Sequence, residues 1–189
     1  GSVTTHGDKA IGVYAHDHST GENSGSIVTY GEQAMGMRAD ETSTLLNSGS
    51  IVTSGDGAHG MEVVEYSRGV NTGTIAVSGE DAHAVRVDFH GDFANSGTLD
   101  SLNGYALLAT NASQVSLLDG TVLAGNRDLV GDETSSLEIA MDGSLSARVS
   151  GFGSFTKNHA GWMRLEGLSW AYYTQLNGGV LEIEYGGQF

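Results

Sequence analysis

A 24-residue unit recurs along the first half of the chain. It reads Asn-Ser-Gly-Ser-Ile-Val-Thr from Asn23 and returns, in varied form, at Asn47, Asn71 and Asn95. Four columns keep register: Asn23, Asn47, Asn71, Asn95; Gly25, Gly49, Gly73, Gly97; Ile27, Ile51, Ile75, Leu99; and Ala10, Ala34, Ala58, Ala82, Ala106, so a partial copy precedes the first full one. A fixed period of this size marks stacked units, none of which can bury a face alone. Inside each unit the apolar residues alternate. Ile27 and Thr29 face away from Val28, and Met35, Met37 and Ala39 share a face. A period of two with β-branched residues predicts strands. Gly31, Gly55 and Gly79 separate the two runs at a corner. The polar tail of each unit closes on an apolar residue (Leu46, Val70, Ala94, Leu118) and predicts a third, less regular side.

No helical pattern lies between these strands, so a βαβ array is excluded. The fold class this predicts is all-β: a right-handed parallel β-helix, or β-solenoid, with turns ~4.8 Å apart. Its length corresponds to roughly eight rungs if the later ones keep the period. The Ile27 column becomes an interior stack. The Asn column sits at a corner, its amides bonded turn to turn. The glycine columns supply tight turns where φ is positive.

The repeat fades after Asn95. A rung restarts one residue short at Val122, Asn126 to Ser135 reads as a polar loop, and Leu137–Met141 and Ser144–Val149 read as further strands. The chain thus divides into repeat rungs over 1–150 and a distinct block over 151–189.

Composition removes several function classes. Only 16% of the 189 residues are charged and the net charge is −15. A nucleic-acid partner needs Lys and Arg against phosphate, and an anionic membrane surface needs the same. A solvated acidic surface or a basic partner remains. With no Cys, disulfides and thiolate metal sites are excluded. No apolar run reaches the ~20 residues of a membrane span, and no signal peptide opens the chain. Gly1-Ser2 reads as a cloning remnant, and the chain as an excised fragment.

The block over 151–189 reads Gly-Phe-Gly-Ser-Phe-Thr-Lys from Gly151, Gly-Trp-Met-Arg-Leu-Glu-Gly from Gly161, and Tyr-Tyr-Thr-Gln-Leu-Asn-Gly-Gly-Val-Leu-Glu-Ile from Tyr172. It resembles the C-terminal passenger segment of Gram-negative autotransporters (type V secretion), with departures at His159-Ala160 and at Gln175-Leu176. The upstream repeat resembles those of autotransporter adhesin passengers. The resemblance implies a β-helix displayed on the bacterial cell surface, at the outer membrane, or secreted. It also implies an autochaperone-like cap, carried here by Phe152, Phe155, Trp162, Leu165, Trp170, Tyr173 and Leu181, and membrane attachment only through a C-terminal barrel not contained in this sequence. Aromatic side chains give such a block more burial per rung than rungs rich in Ala and Gly.

Chemistry-bearing residues are sparse. His59 and His83 share a column between Met35 and Leu107, and two ligands are too few for a metal. His16-Asp17-His18 reads as a solvated loop. Arg38, Glu62 and Arg86 form a column read as an exposed ion ladder across rungs. The variable tails place Glu41, Glu65, Tyr66, Phe89 and His90 beside it. These eight residues are the candidate binding surface. Scattered carboxylates, few aromatic platforms and no nucleophile-elbow, zinc or phosphate-loop motif argue against an enzyme. No cofactor and no metal are expected. The leading expectation is a non-enzymatic passenger fragment, an adhesion or virulence factor. Its partner would be a host-cell receptor, a matrix protein or a glycan, or the fragment would self-associate; nucleic acid is not expected. The alternatives are a stalk and folding cap for a functional region missing upstream, and a polysaccharide-active β-helix enzyme.

Overall fold

A computed structural model describes residues 1–167 and 169–184; Leu168 and residues 185–189, the end of the proposed cap, lie outside the described residues. The chain coils into a parallel β-solenoid with three sheets, and no helix occurs among the described residues. One turn is Ser26–Thr29 on the first side, Met37–Ala39 on the second and Thr44–Asn47 on the third. In the regular turns each strand pairs in parallel with its equivalent one full repeat on, as Ile27 with Ile51, Met37 with Met61 and Asn47 with Asn71. The alternation of the sequence becomes inside and outside. Ile27, Ile51, Ile75 and Leu99 are buried, whereas Val52 on the opposite face is exposed.

Six complete three-strand turns form, not eight. The coil tapers at the corner between its first and second sides. That corner spans seven residues in the second, third and fourth turns (30–36, 54–60, 78–84), five in the next (102–106) and two in the sixth (126–127). Then it vanishes. A single seven-residue strand, Ser144–Ser150, spans both sides, and later turns have two strands each. The taper overturns two expectations. The rung near Val122 is not short, since Leu99 pairs with Leu123 a full repeat on. The deletion lies instead at the corner before Leu107, which pairs with Val85, less than a repeat back. The polar stretch Asn126–Ser135 contains a strand, Asp128–Gly131, because Leu129 stacks under Leu107.

The third side is regular. Its interior column is Gly21, Leu45, Gly69, Phe93, Val115, Leu137 and Phe155; Leu46 and Leu118 face outward. Leu46 and Leu118, which close their tails, thus stand one position after the buried Leu45 and Leu117, and one residue inverts a strand's faces. Gly69 makes room for the ring of Phe93: a Cβ there would lie 3.1 Å from that ring and 2.6 Å from Val63. The Gly25 column serves close approach rather than positive φ. A Cβ on Gly49 would lie 2.2 Å from the Gly25 carbonyl oxygen.

The Asn column lies inside the corner and is bonded as expected. Asn23 Nδ2 donates to Asn47 Oδ1 at 2.8 Å, Asn47 to Asn71 at 2.7 Å, and Asn71 to Asn95 at 2.8 Å. Asn95 donates to Gly97 O and Thr121 Oγ1, which end the ladder. In the C-terminal block Phe152, Phe155 and Leu165 are buried and Leu181 packs partly against them. Trp162, Trp170 and Tyr173 are exposed, contrary to the burial expected of them, because they stand on outward positions. Lys157 takes an interior position, covered between Ile139 and Leu176, with Nζ donating to the carbonyls of Asn158 and His159.

Candidate functional site

The corner between the second and third sides carries consecutive residues in the left-handed region: Asp17 and His18, Glu41 and Thr42, Glu65 and Tyr66, Phe89 and His90, Asn111 and Ala112, all with φ between 47° and 62°. None is glycine, so each holds on the order of 1 kcal/mol of backbone strain. Hydrogen bonds between turns offset it: Thr42 N–H donates to Glu65 O, Tyr66 to Phe89 O and His90 to Asn111 O. The conformation projects side chains outward. Tyr66 and Phe89 are 67% and 54% exposed, and the rings of Tyr66 and His90 stack at 4.7 Å. Glu41 and Glu65 are exposed at the same corner.

The ion ladder runs beside it on the outward face of the second sheet, but it is not the exposed ladder the sequence suggests. Glu62 is 1% exposed, because Arg38 and Arg86 from the neighbouring turns close over it. Arg38 Nη1 donates to Glu62 at 2.5 Å and Arg86 Nη1 at 2.7 Å. Each arginine also reaches a second carboxylate: Arg38 pairs with Asp40 and Arg86 with Asp88. The network continues outward. Asp40 accepts from Tyr14 Oη and His16 Nδ1, both at 2.7 Å, and Asp88 accepts from Thr110 and Asn111. Burial opposes the charge on Asp40, yet the bonds from Tyr14 and His16 and the charge of Arg38 hold its carboxyl below the usual range. The bond to Asp40 raises His16 in turn. Sequence reasoning found Arg38, Glu62 and Arg86. It did not join Tyr14, Asp40 and Asp88 to that column. The missing signal was their place at two ends of one set of repeat columns. The eight candidate binding residues do lie together, along one edge of the coil.

His59 and His83 stack at 4.9 Å on the first corner, and His83 stacks on Tyr105, not Leu107, because that corner has lost two residues. The backbone N–H of His83 donates to His59 Nδ1, and that of Tyr105 to His83 Nδ1. Burial first, then the charges of His83 and Arg86, lowers His59 to about 3. Each ring thus accepts a backbone N–H through Nδ1 from the next turn while stacking on its neighbour. Asp119, Asp142 and His159 bring three possible ligand atoms within 4.8 Å at an exposed corner. Their carboxylates are already engaged, Asp119 by Asp142 N–H and Asp142 by Ala160 N–H.

Comparison with known proteins gives one family match. A model described as the BigA third pectate lyase-like domain matches residues 1–157. BigA is a bacterial surface protein. No curated protein and no solved structure matches the chain.

Proposed function

The chain belongs to the family of the BigA third pectate lyase-like domain, and from that membership we propose that it is a non-enzymatic binding module of a bacterial surface protein. Its contact edge is the left-handed corner with the adjoining ladder: Glu41, Glu65, Tyr66, Phe89 and His90 outermost, Arg38, Glu62 and Arg86 behind them. The observation that carries this reading is the strained corner. Strain repeated over five turns, without glycine, holds aromatic and acidic side chains away from the coil, and strained backbone clusters at functional positions. The ladder fixes the edge without offering reactive groups, since each guanidinium already bridges two carboxylates. Repetition supplies a long face suited to weak contacts summed by avidity. The partner is a host-cell receptor, a matrix protein or a glycan. The finer placement is an autotransporter passenger, at the outer membrane or released, with 151–189 as its folding cap.

The experiment is adhesion of beads coated with the domain to cultured cells and matrix proteins. Tyr66→Ala with Phe89→Ala abolishes adhesion while the far-ultraviolet circular dichroism is retained. Undiminished adhesion by that variant sinks the reading. The family's description also favours a polysaccharide-active enzyme, and release of oligosaccharides from a polysaccharide panel would establish it instead.

A further inference from the structure

A concavity of about 550 Å3 opens where the coil shortens, away from the contact residues Glu41, Glu65, Tyr66, Phe89 and His90. Its origin is a step. In the sixth turn the corner between second and third sides takes four residues, 132–135; the following turn crosses in three, 151–153. Phe152 turns fully inward there, so the floor is backbone: a Cβ on Gly131 would lie 2.5 Å from the Phe152 ring. One wall is the overhanging corner with Asp132 and Glu133. The other is Trp170 and Tyr172, 39% and 63% exposed, whose rings meet edge to face with centroids 5.4 Å apart.

The acidic wall is preorganised. Asp132 accepts from the backbone N–H of Asn111 at 2.7 Å and of Thr134 at 3.1 Å, and from the hydroxyls of Thr134 and Ser135 at 2.8 Å. These bonds, against the cost of burial, hold its carboxyl below the usual range. Thr134 and Ser135 thus fix the carboxylate from the side of its own corner, and Asn111 from the turn before. Among the described residues, no Lys, Arg or His lines the concavity.

We infer that this concavity is a saccharide subsite for neutral sugars and rejects uronates, with Trp170 and Tyr172 as the stacking wall and Asp132 and Glu133 as hydroxyl acceptors. Exposed aromatic faces beside fixed acceptors match a pyranose ring, which has an apolar face and a rim of hydroxyl donors. A uronate would bring its carboxylate against two others with no cation to compensate, and like-charge juxtaposition disfavours a partner strongly. The rejection separates this site from the acidic polysaccharide that the family's description evokes. It is tested apart from the corner reading: Asn111 is shared with the left-handed corner, but none of the contact residues assigned there (Glu41, Glu65, Tyr66, Phe89, His90) lines the concavity.

The chain has two tryptophans, so Trp162→Phe leaves Trp170 as the sole reporter of the site. In that background, fluorescence titration is made with triacetylchitotriose, maltotriose, trigalacturonate and choline at physiological ionic strength. The expected result is a saturable change with at least one neutral trisaccharide and none with trigalacturonate. Tyr172→Ala weakens the neutral ligand about tenfold. Glu133→Gln, which removes one negative charge from the acceptor wall, weakens the neutral ligand less than Tyr172→Ala does and lets trigalacturonate register. Trigalacturonate binding as tightly as the neutral sugars, a response to choline alone, or no response to either neutral trisaccharide overturns the proposal.

Discussion

The regular turns and the last turns hold themselves together differently. From Ser26 to Asn95 every turn keeps the same repeat, and equivalent side chains stack directly. That alignment lets polar residues serve inside the coil: Asn23 through Asn95 are buried because each amide meets its copy. Beyond Ser144 the first corner is gone and equivalents lie closer together in the sequence, as Trp162 and Val180, or Asp128 and Arg148. Columns of identical residues shrink to short ones, such as Gly143, Gly161 and Gly179. Bulk replaces repetition: Phe152 and Phe155 fill the narrower section, and Trp162, Trp170, Tyr172 and Tyr173 stand outside. A repeat can therefore use weakly apolar material where register is strict, and needs large side chains where it is lost.

The largest test is to remove one region from the other. Deleting 151–189 strips Phe155 from Leu137 and uncovers Ile139, which now pairs with Lys157. Burying one Phe side chain alone stabilises by roughly 2–3 kcal/mol. We expect the shortened chain to lose cooperative unfolding in urea and its resistance to limited proteolysis. Resistance equal to that of the full chain would mean that the regular turns stand alone and the cap is dispensable.

Acid is the next lever, and it acts on the regular turns. His59 lies at about 3 in the fold against 6.5 when free. The unfolded chain therefore binds a proton that the folded chain refuses between these values. Stability is complete above pH 6.5 and falls as pH drops toward 3, by on the order of 4 kcal/mol. His83, lowered mainly by burial, adds in the same direction. Asp40 and Asp132, held below the usual range, contribute only in more acid solution. Urea midpoints between pH 7 and 4.5 check this, and His59→Gln flattens the slope. An unchanged slope in that variant assigns the acid sensitivity elsewhere.

How far the sequence foretold this follows from the same contrast. Where columns repeated, sides, corner and Asn ladder were all readable from Asn23, Ile27 and Met37. Where period and spacing changed, the reading failed: Leu129 went unrecognised as a strand residue, and His83 was set on Leu107 instead of Tyr105. Single-sequence alternation also cannot choose between Leu45 and Leu46, two adjacent leucines; Phe93 in the same column decides it. At the candidate site the residue positions were legible. The burial of Glu62 was not, since it depends on two arginines closing from adjacent turns.

Glu62 gives the third test. Glu62→Ala leaves Arg38 and Arg86 facing each other across a covered position, at a cost of about 3 kcal/mol. Thermal unfolding measures it. A loss below about 1 kcal/mol would return the ladder to the class of exposed pairs. The Asn ladder comes next. Asn71→Ala deprives Asn47 Nδ2 of an acceptor and Asn95 Oδ1 of a donor, both buried, for about 2 kcal/mol. A neutral effect would show that glycine spacing, and not the amides, holds that corner.

The smallest effect is the control for the others. Arg68 and Asp92 also pair between adjacent turns of the regular region, at 3.6 Å, but both side chains are more than half exposed. Water solvates each partner as well alone as together, and long side chains lose freedom on pairing. Arg68→Ala should therefore leave the melting midpoint nearly unchanged, a loss within about 0.5 kcal/mol. Glu62 and Arg68 share the same repeat, parallel pairing and charge types. Only burial separates them. Equal losses at the two positions would show that cross-turn charge alone stabilises the coil. Unequal losses tie the stability of the regular turns to what its strict register permits: polar side chains placed under cover with their partners already aligned.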